Sequence, residues 1–588
     1  MNGSEHAVAE LAADPKSLDC VDGSTNSAFL QRLSEWIQCF CVVTFDLEMG
    51  QSMEMVCPEQ VGLTEQDKST ICYLAFPDSN AGILGDSQFH FRCHLEGDIR
   101  TNSRSQSSID SYNCQCAPSL QTDQGIFFGY VYFRQIKDRN VRRGYFQKSV
   151  VLIARLPFLN VYREILRLVA PEFFDNGRKA LDFACKEIDR WAAVRVGNPL
   201  SLPLFGHNLC CTIPSLLDGA LPGASYPSNL SALPSSTNIP ITSIHDFDFI
   251  KSFQGFLAHL HVFWELMLCN ESLAVIAPTP TACSEFVQCL VWIVWPLKFA
   301  TDYRPFFTIH DGDFKDYTTK SQAPPRIILG VTNPFFVKTL QHWPHIVKIG
   351  DNTDTVDVKE SPKVKQPGKL NSSVDLKQGL YSEYKSFLEK DKVLIKRLLK
   401  GIQSKRPVEA QSSLIKKYYY ELTRSFMIPL ERYVSTLMPL LRDISPFKSP
   451  PTLRDFDFDE FLDTIAVAGP SLTSGTKGDW AGLYMSFLKS ENFHHWFAMK
   501  KREINNKLKL VHLQALAEAD MEMWMAGKSE LELIDLILKT RNCVQAVRMV
   551  GETVPTEAIA KLKRSIGKIV DKLPSDLKDL VRNGSLIL

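Results

Sequence analysis

Between residues 273 and 350, short apolar strands alternate with helical segments, a pattern that few folds accommodate. The predicted strands lie at 273–278, 306–310, 326–332 and 345–350. Helices are predicted at 281–295 and from Asn333 onward, and an apolar helix at 247–269 precedes the first strand. Strands that are apolar at every position are typical of a parallel sheet, because crossover helices bury both of its faces. We therefore expect a central α/β module over residues 241–350.

A second α/β region precedes this module, and its strands come before its helices. Four β-rich runs are predicted as strands, at 36–48, 87–94, 128–134 and 145–155. The last two flank a charged turn and predict a hairpin. Amphipathic segments follow at 159–170 and 177–191, whereas the Ser-, Asn- and Gln-rich residues 95–125 are expected to form a loop. This order predicts an antiparallel sheet with helices packed on it.

Two proline-rich stretches divide the chain, and only helical patterns follow about residue 381. The predicted fold class is therefore α/β plus α, in seven segments. These are a disordered tail at 1–28, an upstream module at 29–213, a linker at 214–240, the central module at 241–350, a second linker at 351–379, a helical module at 380–500 and further C-terminal helices at 501–588.

The composition argues against several classes of partner and location, although whole-chain neutrality does not forbid a local interaction. The 66 Lys and Arg residues balance the 66 Asp and Glu residues, which argues against a nucleic-acid partner or a polybasic lipid tether. The 15 Cys residues form no even disulfide framework, and the most apolar stretch is well short of the ~20 residues that span a bilayer. We expect a cytoplasmic protein without a transmembrane segment, whose partner is recognised by shape. Peripheral membrane association stays possible.

Motifs for covalent chemistry are missing from the sequence. Gly527-Lys528-Ser529 resembles the end of a phosphate-binding loop, but Glu522 occupies the position that requires glycine, so a turn between helices is the alternative. No G-x-G-x-x-G or G-x-S-x-G pattern follows a strand. We expect no cofactor and no metal. A hydrolase or transferase with a nucleophile and base brought together only in space stays an alternative.

Polar side chains interrupt the apolar pattern where two predicted strands of the central module end. Ligands and partners gather at the carboxyl ends of parallel strands, which makes these side chains candidates for partner binding. The candidates are Asp302, Arg304, His310, Asp311 and Asn333. Their neighbours Phe306, Phe307 and Ile309 are predicted as core. Asp311 and Asn333 are also suitable helix N-caps, so a purely structural role is the alternative for both.

These polar stretches also carry a family resemblance. DYRPFFTIHD (302–311), WELMLCNESLAVIAPTP (264–280) and APPRIILGVTNPFF (323–336) resemble the central module of DENN-domain proteins. EWIQCFCVVTFDLEMGQ (35–51) and KGDWAGLYMSFLKS (477–490) are similar to the sixth class of that family.

The resemblance implies a longin-like upstream module, a central DENN module and a downstream helical module. It implies a guanine-nucleotide exchange factor for a Rab GTPase, namely the fourteenth Rab. It also implies that the exchange factor is recruited from the cytoplasm to recycling endosomes. Such a factor breaks no covalent bond; it binds the switch regions of the GDP-bound or nucleotide-free GTPase. A scaffold that binds a Rab GTPase without exchanging its nucleotide would carry the same motifs and stays the alternative.

Overall fold

A computed structural model describes most of the chain. The described residues are 32–46, 50–78, 84–97, 103–139, 144–215, 237–245, 248–350, 377–440, 444–470, 475–549, 556–575 and 577–578. The predicted tail at 1–28 and most of both predicted linkers lie outside these ranges.

The upstream region contains an antiparallel sheet, as the sequence predicts, but with five strands instead of the four predicted, because the strand at Gly50–Cys57 was missed. Its strands are β1 (Cys39–Asp46), β2 (Gly50–Cys57), β3 (Gly85–His94), β4 (Ile126–Lys137) and β5 (Tyr145–Ala154). Their order across the sheet is β2-β1-β5-β4-β3. The predicted hairpin is confirmed, since β4 and β5 pair antiparallel along their length. The predicted strand at 36–48 begins later, at Cys39, because a short helix precedes it.

Five helices accompany this sheet. They are α1 (Leu33–Trp36), α2 (Glu65–Leu74), α3 (Ser103–Gln115), α4 (Leu159–Asn176) and α5 (Arg178–Asp189). The helices α4 and α5 contribute to the core on one face, and α2 covers the other face. The loop predicted at 95–125 is wrong, because this segment contains α3 and a 3₁₀ turn at Pro118–Leu120. Its weak helix formers are held by a narrow buried stripe of Ile109, Tyr112 and Cys116.

A small third sheet follows that the sequence did not predict. It contains β6 (Pro199–Leu204), β7 (His207–Thr212) and β8 (Asn238–Pro240), in the order β6-β7-β8. Buried and exposed residues alternate along β6, but two prolines on its exposed face conceal that period. The linker predicted at 214–240 is wrong at its end, because its last three residues form the strand β8.

The central module contains a mostly parallel sheet, which confirms the main expectation. Its strands are β9 (Leu273–Ile276), β10 (Tyr303–Phe307), β11 (Ile328–Val331), β12 (His345–Lys348) and β13 (Gly379–Ser382). The order is β10-β11-β9-β12-β13, with only β13 antiparallel to its neighbour. The strand β13 is too short to show a period, so the sequence assigned it to the linker at 351–379 and the helical module at 380–500. Its pairing with β12 places it in the central sheet.

Helices cover both faces of the central sheet. They are α6 (Phe249–Phe253), α7 (Leu260–Leu268), α8 (Pro280–Trp292), α9 (Phe314–Thr318) and α10 (Phe336–Thr339). The single helix predicted at 247–269 is interrupted, because a 3₁₀ segment at Gln254–His259 separates α6 from α7. Val275 and Ile328 face one core, while Ile276 and Leu329 face the other.

The remainder of the described chain is helical after β13, as predicted. The helices are α11 (Lys392–Gln403), α12 (Val408–Thr436), α13 (Phe458–Ala468), α14 (Trp480–Phe487), α15 (Glu491–Glu518), α16 (Met521–Met525), α17 (Glu530–Met549) and α18 (Thr556–Lys572). Gly527, at φ 81°, lies in the turn between α16 and α17, and Ser529 donates two hydrogen bonds to Glu532 there. This confirms the helix-to-helix turn at Gly527-Lys528-Ser529.

The two α/β modules pack directly on each other through β3. Thr281 of α8 donates a hydrogen bond to the Gln88 carbonyl at 2.8 Å, and the Phe89 and Phe306 rings meet edge to face at 5.3 Å. Phe306 thereby belongs to the core of the upstream module, although its strand belongs to the central sheet. This packing places the carboxyl end of β10 beside the end of α2.

Candidate functional site

His310 and Asn333 follow β10 and β11, and both meet the end of α2 from the upstream module. The His310 ring stacks on Tyr73 with centroids 4.4 Å apart and planes 17° apart. Asn333 Nδ2 donates to Asp78 Oδ1 at 3.3 Å. Burial raises the pKa of Asp78, and the Asn333 amide, the nearby His310 and the Ile309 backbone N–H oppose that rise. The predicted strand-end position is confirmed for both residues. Asp78 interacts with both, through a hydrogen bond from Asn333 and electrostatically with His310.

Asp311 and Asn333 shape tight turns at this edge. Asp311 Oδ1 accepts from the Asp313 N–H at 3.1 Å, and Asn333 Oδ1 accepts from the Phe335 N–H at 3.0 Å. Neither residue is the N-cap of the helix that follows, because those helices begin at Phe314 and Phe336 without a side-chain cap. The predicted N-cap role is therefore wrong for both residues, although both side chains accept a backbone hydrogen bond just before the helix. Burial raises the pKa of the half-buried Asp311, and the Arg304 charge opposes this.

Asp302 and Arg304 lie elsewhere than predicted. The strand β10 spans Tyr303–Phe307 instead of 306–310, so Asp302 precedes the strand and Arg304 lies within it. Arg304 is only 5% exposed; its guanidinium donates to Asp302 Oδ2 at 2.7 Å and to Asp313 Oδ2 at 2.9 Å. A cation held in this way supports its neighbours and is not available to a partner. The sequence did not predict this pairing, because the strand was located from the pattern of apolar residues alone.

Behind Arg304, a buried ion network joins the two modules. Arg92 of β3 donates to Asp302, lies 3.5 Å from an Asp123 carboxylate oxygen and stacks over Tyr303 at 4.5 Å. Lys298 also binds Asp123. Burial lowers the pKa of Arg92, and Tyr303 and the Asp123 carboxylate oppose that effect. No sequence signal identified this network, since its members come from distant segments whose proximity only the fold creates.

Apolar side chains surround the polar turns. Phe335 is 51% exposed and Ile309 is 36% exposed, and Phe335 stacks on the half-buried Phe314 with centroids 6.2 Å apart. Ile309 was predicted as core and is exposed because β10 ends two residues before it. Phe306 and Phe307 are buried, as predicted. We call Ile309, His310, Asp311, Asn333 and Phe335 the edge surface.

The edge surface contains both apolar and polar side chains. It combines exposed apolar groups with carboxylate, amide and imidazole side chains, as protein interfaces do. In the described ranges, no three His, Cys, Asp or Glu side chains are grouped so that they could hold a metal ion. Among the described helices, none has the length and apolar character needed to cross a bilayer.

Comparison with known proteins identifies the family. A family model described as the DENND6 C-terminal domain matches residues 521–583, and one described as transport protein Avl9 matches residues 37–188. Protein DENND6B of Mus musculus is 46% identical over 555 residues, which cover 93% of this chain and 93% of that protein. The chain belongs to the DENND6 family. Protein DENND6A of Mus musculus is 44% identical over 98% of this chain and 94% of its own length.

A relative of lower identity also covers most of the chain. The DENND6 homolog of Dictyostelium discoideum is 31% identical over 92% of this chain and 80% of its own length. The resemblance inferred from the strand-end stretches is therefore confirmed at the level of the family. The longin-like nature of the upstream module and the partner-binding role of the edge surface stay predictions.

Proposed function

We propose that this DENND6 family chain is a guanine-nucleotide exchange factor for a Rab GTPase of the endosomal recycling pathway, the fourteenth Rab. DENN-domain proteins are generally exchange factors for Rab GTPases, and similarity to DENND6 proteins over 93–98% of the chain carries the proposal. The protein works from the cytoplasm and is recruited to recycling endosomes in this proposal.

The mechanism requires differential affinity and no covalent step. The chain binds the switch regions of the GTPase more tightly when the nucleotide site is empty than when GDP and Mg²⁺ fill it. GDP release then accelerates, and GTP entry ends the complex. Each tenfold acceleration needs about 1.4 kcal/mol of preference for the transition state of release over the GDP-bound form.

The edge surface is the part of the molecule that we assign to the GTPase. It borders the contact between the two α/β modules, since His310 stacks on Tyr73 and Asn333 donates to Asp78. Its exposed Phe335 and Ile309 supply apolar contact area. In this assignment Asp302 and Arg304 support the edge surface from the protein interior. Arg304 is buried and holds Asp302 and Asp313 in place.

The activity is tested by stopped-flow release of a fluorescent GDP analogue from a panel of Rab GTPases. We expect the chain to accelerate release from the fourteenth Rab by at least about tenfold, with little effect on Rab GTPases of other pathways. Binding to that GTPase without faster release would instead establish a scaffold and contradict the proposal.

A double substitution in the edge surface tests whether this surface binds the GTPase. Asp311→Ala combined with Asn333→Ala removes two turn-forming acceptors and should slow Rab nucleotide release about tenfold relative to the unmodified chain. The control is Asp457→Ala, which removes a comparable acceptor at the start of α13, where Asp457 binds the Asp459 and Glu460 N–H groups.

Two outcomes would contradict this assignment. Unchanged release with the double variant excludes the edge surface as the GTPase contact. A fall in melting temperature larger than that of Asp457→Ala, with release reduced only in proportion to the folded fraction, shows that the two side chains are structural.

A further inference from the structure

The exposed face of α11 carries four cations and one valine, and the uncharged Gln403 at its end. With 100° between successive helical residues, Lys392, Val393, Lys396, Arg397 and Lys400 occupy one arc of about 140°. All five are exposed, and Val393 is 76% exposed. The opposite side of the helix packs on the protein through buried residues, namely Leu394, Leu398 and Gly401. We call the five exposed residues the basic face.

The cations of the basic face have no carboxylate partner among the described residues. Other exposed helices neutralise their lysines within the helix, as in the i, i+4 pairs Lys507–Glu503 and Lys561–Glu557. Residues 392–403 contain no Asp or Glu at all. The nearest acidic residue in sequence, Asp391, is half-buried and engaged as the N-cap, where it accepts from the Val393 and Leu394 N–H groups. Within the described ranges, the positive charge of this face is therefore left without a compensating carboxylate.

This arrangement does not serve the stability of α11. Lys392 and Lys396 lie in its first turns, where the helix macrodipole disfavours cations. Lys392, Lys396 and Lys400 also follow one another at i, i+4 spacing, and like charges at that spacing repel. The helix gains its stability from its buried side, so the repeated lysines need another explanation.

We propose that the basic face of α11 is a docking surface for an anionic lipid bilayer. Lysines flanking an exposed apolar side chain are typical of segments that lie on anionic membranes, because the cations attract the headgroups while the apolar group enters the interface. An acidic protein is the less suitable partner. Three of the four cations are lysines, which offer point charges, whereas carboxylate recognition favours the planar guanidinium fork of arginine.

The proposal goes beyond nucleotide exchange, and it revises what the neutral net charge suggested. The balance of 66 cations and 66 anions is a property of the whole chain. A bilayer senses only charges within about a Debye length of its surface, roughly 8–10 Å, so a local cluster on one helix is sufficient.

Flotation with lipid vesicles tests the proposal without any GTPase, so failure here and failure of the exchange activity are separate results. The full chain is mixed with vesicles of pure phosphatidylcholine or of phosphatidylcholine with about 30% phosphatidylserine. The test variant is Lys392→Gln, Lys396→Gln, Arg397→Gln and Lys400→Gln together. The control replaces four ion-paired lysines by glutamine and changes the net charge equally, at Lys417, Lys507, Lys539 and Lys561.

We expect the unmodified chain and the control to float with the phosphatidylserine vesicles and not with pure phosphatidylcholine. The test variant should lose at least about tenfold in partitioning, and salt near 1 M should weaken binding of the unmodified chain. The melting temperature of the test variant should not fall, since its substitutions relieve repulsion between like charges.

Three results would overturn the proposal. One is equal partitioning of the test variant and the unmodified chain. Another is failure of the unmodified chain to bind phosphatidylserine vesicles. The third is binding of the unmodified chain, but not the test variant, to an acidic peptide such as poly-glutamate when neither binds vesicles, which assigns the face to an acidic protein.

Discussion

Arg92→Met is expected to lower the free energy of unfolding by about 3 kcal/mol, because it removes the central cation of a buried ion network. Arg92 is 5% exposed and pairs with Asp302 and Asp123 while stacking over Tyr303. Methionine restores much of the apolar volume but not the charge. In this variant Asp302 still pairs with Arg304, and Asp123 still pairs with Lys298. The expected loss of unfolding free energy is therefore near the lower end of the range for broken buried ion pairs.

Urea unfolding followed by tryptophan fluorescence measures this loss. The matched control is Lys501→Met, which breaks an exposed pair with Asp455 and should leave the free energy of unfolding almost unchanged. Equal losses in the two variants would contradict a special role for the buried network. Because Arg92 joins the two modules, the Arg92→Met variant should also unfold with a less cooperative transition.

Asn492→Ala is expected to cost about 4 kcal/mol, since it removes four buried hydrogen bonds. Asn492 lies near the start of α15 and is fully buried. Its Oδ1 accepts from Asn270 Nδ2 at 3.0 Å and from the Ala300 N–H at 2.8 Å. Its Nδ2 donates to the Met267 and Leu268 carbonyls at 2.9 and 3.0 Å. This one side chain ties the helical region to the end of α7.

Thermal unfolding of the full chain tests the Asn492→Ala prediction. The control is Asn176→Ala at the exposed end of α4, where a single hydrogen bond to Glu172 is lost and the effect should stay below about 0.5 kcal/mol. A melting temperature for Asn492→Ala as high as that of the control would mean that the buried network is satisfied in another way. Hydrogen exchange should also quicken at the end of α7, where two carbonyl groups lose the hydrogen bond from the Asn492 side chain.

The sequence predicted the two α/β regions because their strands are long or continuously apolar. It placed β10 three residues too late, since FFTIH is the most apolar stretch locally while the strand begins at Tyr303. Arg304 is buried within the strand only because carboxylates from both sides of it neutralise the guanidinium. Such compensation is invisible to a pattern of apolar residues.

The helix α3 and the strand β6 were missed for a different reason. Their local composition favours loops, and tertiary burial overrides it through a few apolar positions such as Tyr112 and Leu202. Composition therefore identifies elements with broad apolar faces and fails where a narrow stripe is sufficient.

The position of the candidate site was partly predictable. His310, Asp311 and Asn333 follow parallel strands, and the rule that polar residues gather at carboxyl ends located them. Their partners Tyr73 and Asp78 come from the upstream module, and Asp78 is 255 residues away from Asn333 in sequence. No local pattern predicts a contact over that separation.

The most direct test of the account is release of a fluorescent GDP analogue from the fourteenth Rab with increasing amounts of the unmodified chain. We expect the observed rate constant to rise at least about tenfold and then to saturate. The chain with Asp311→Ala and Asn333→Ala should stay near the uncatalysed rate constant at equal folded concentration. A rate constant that does not change with the unmodified chain, while the GTPase is bound, would contradict the account.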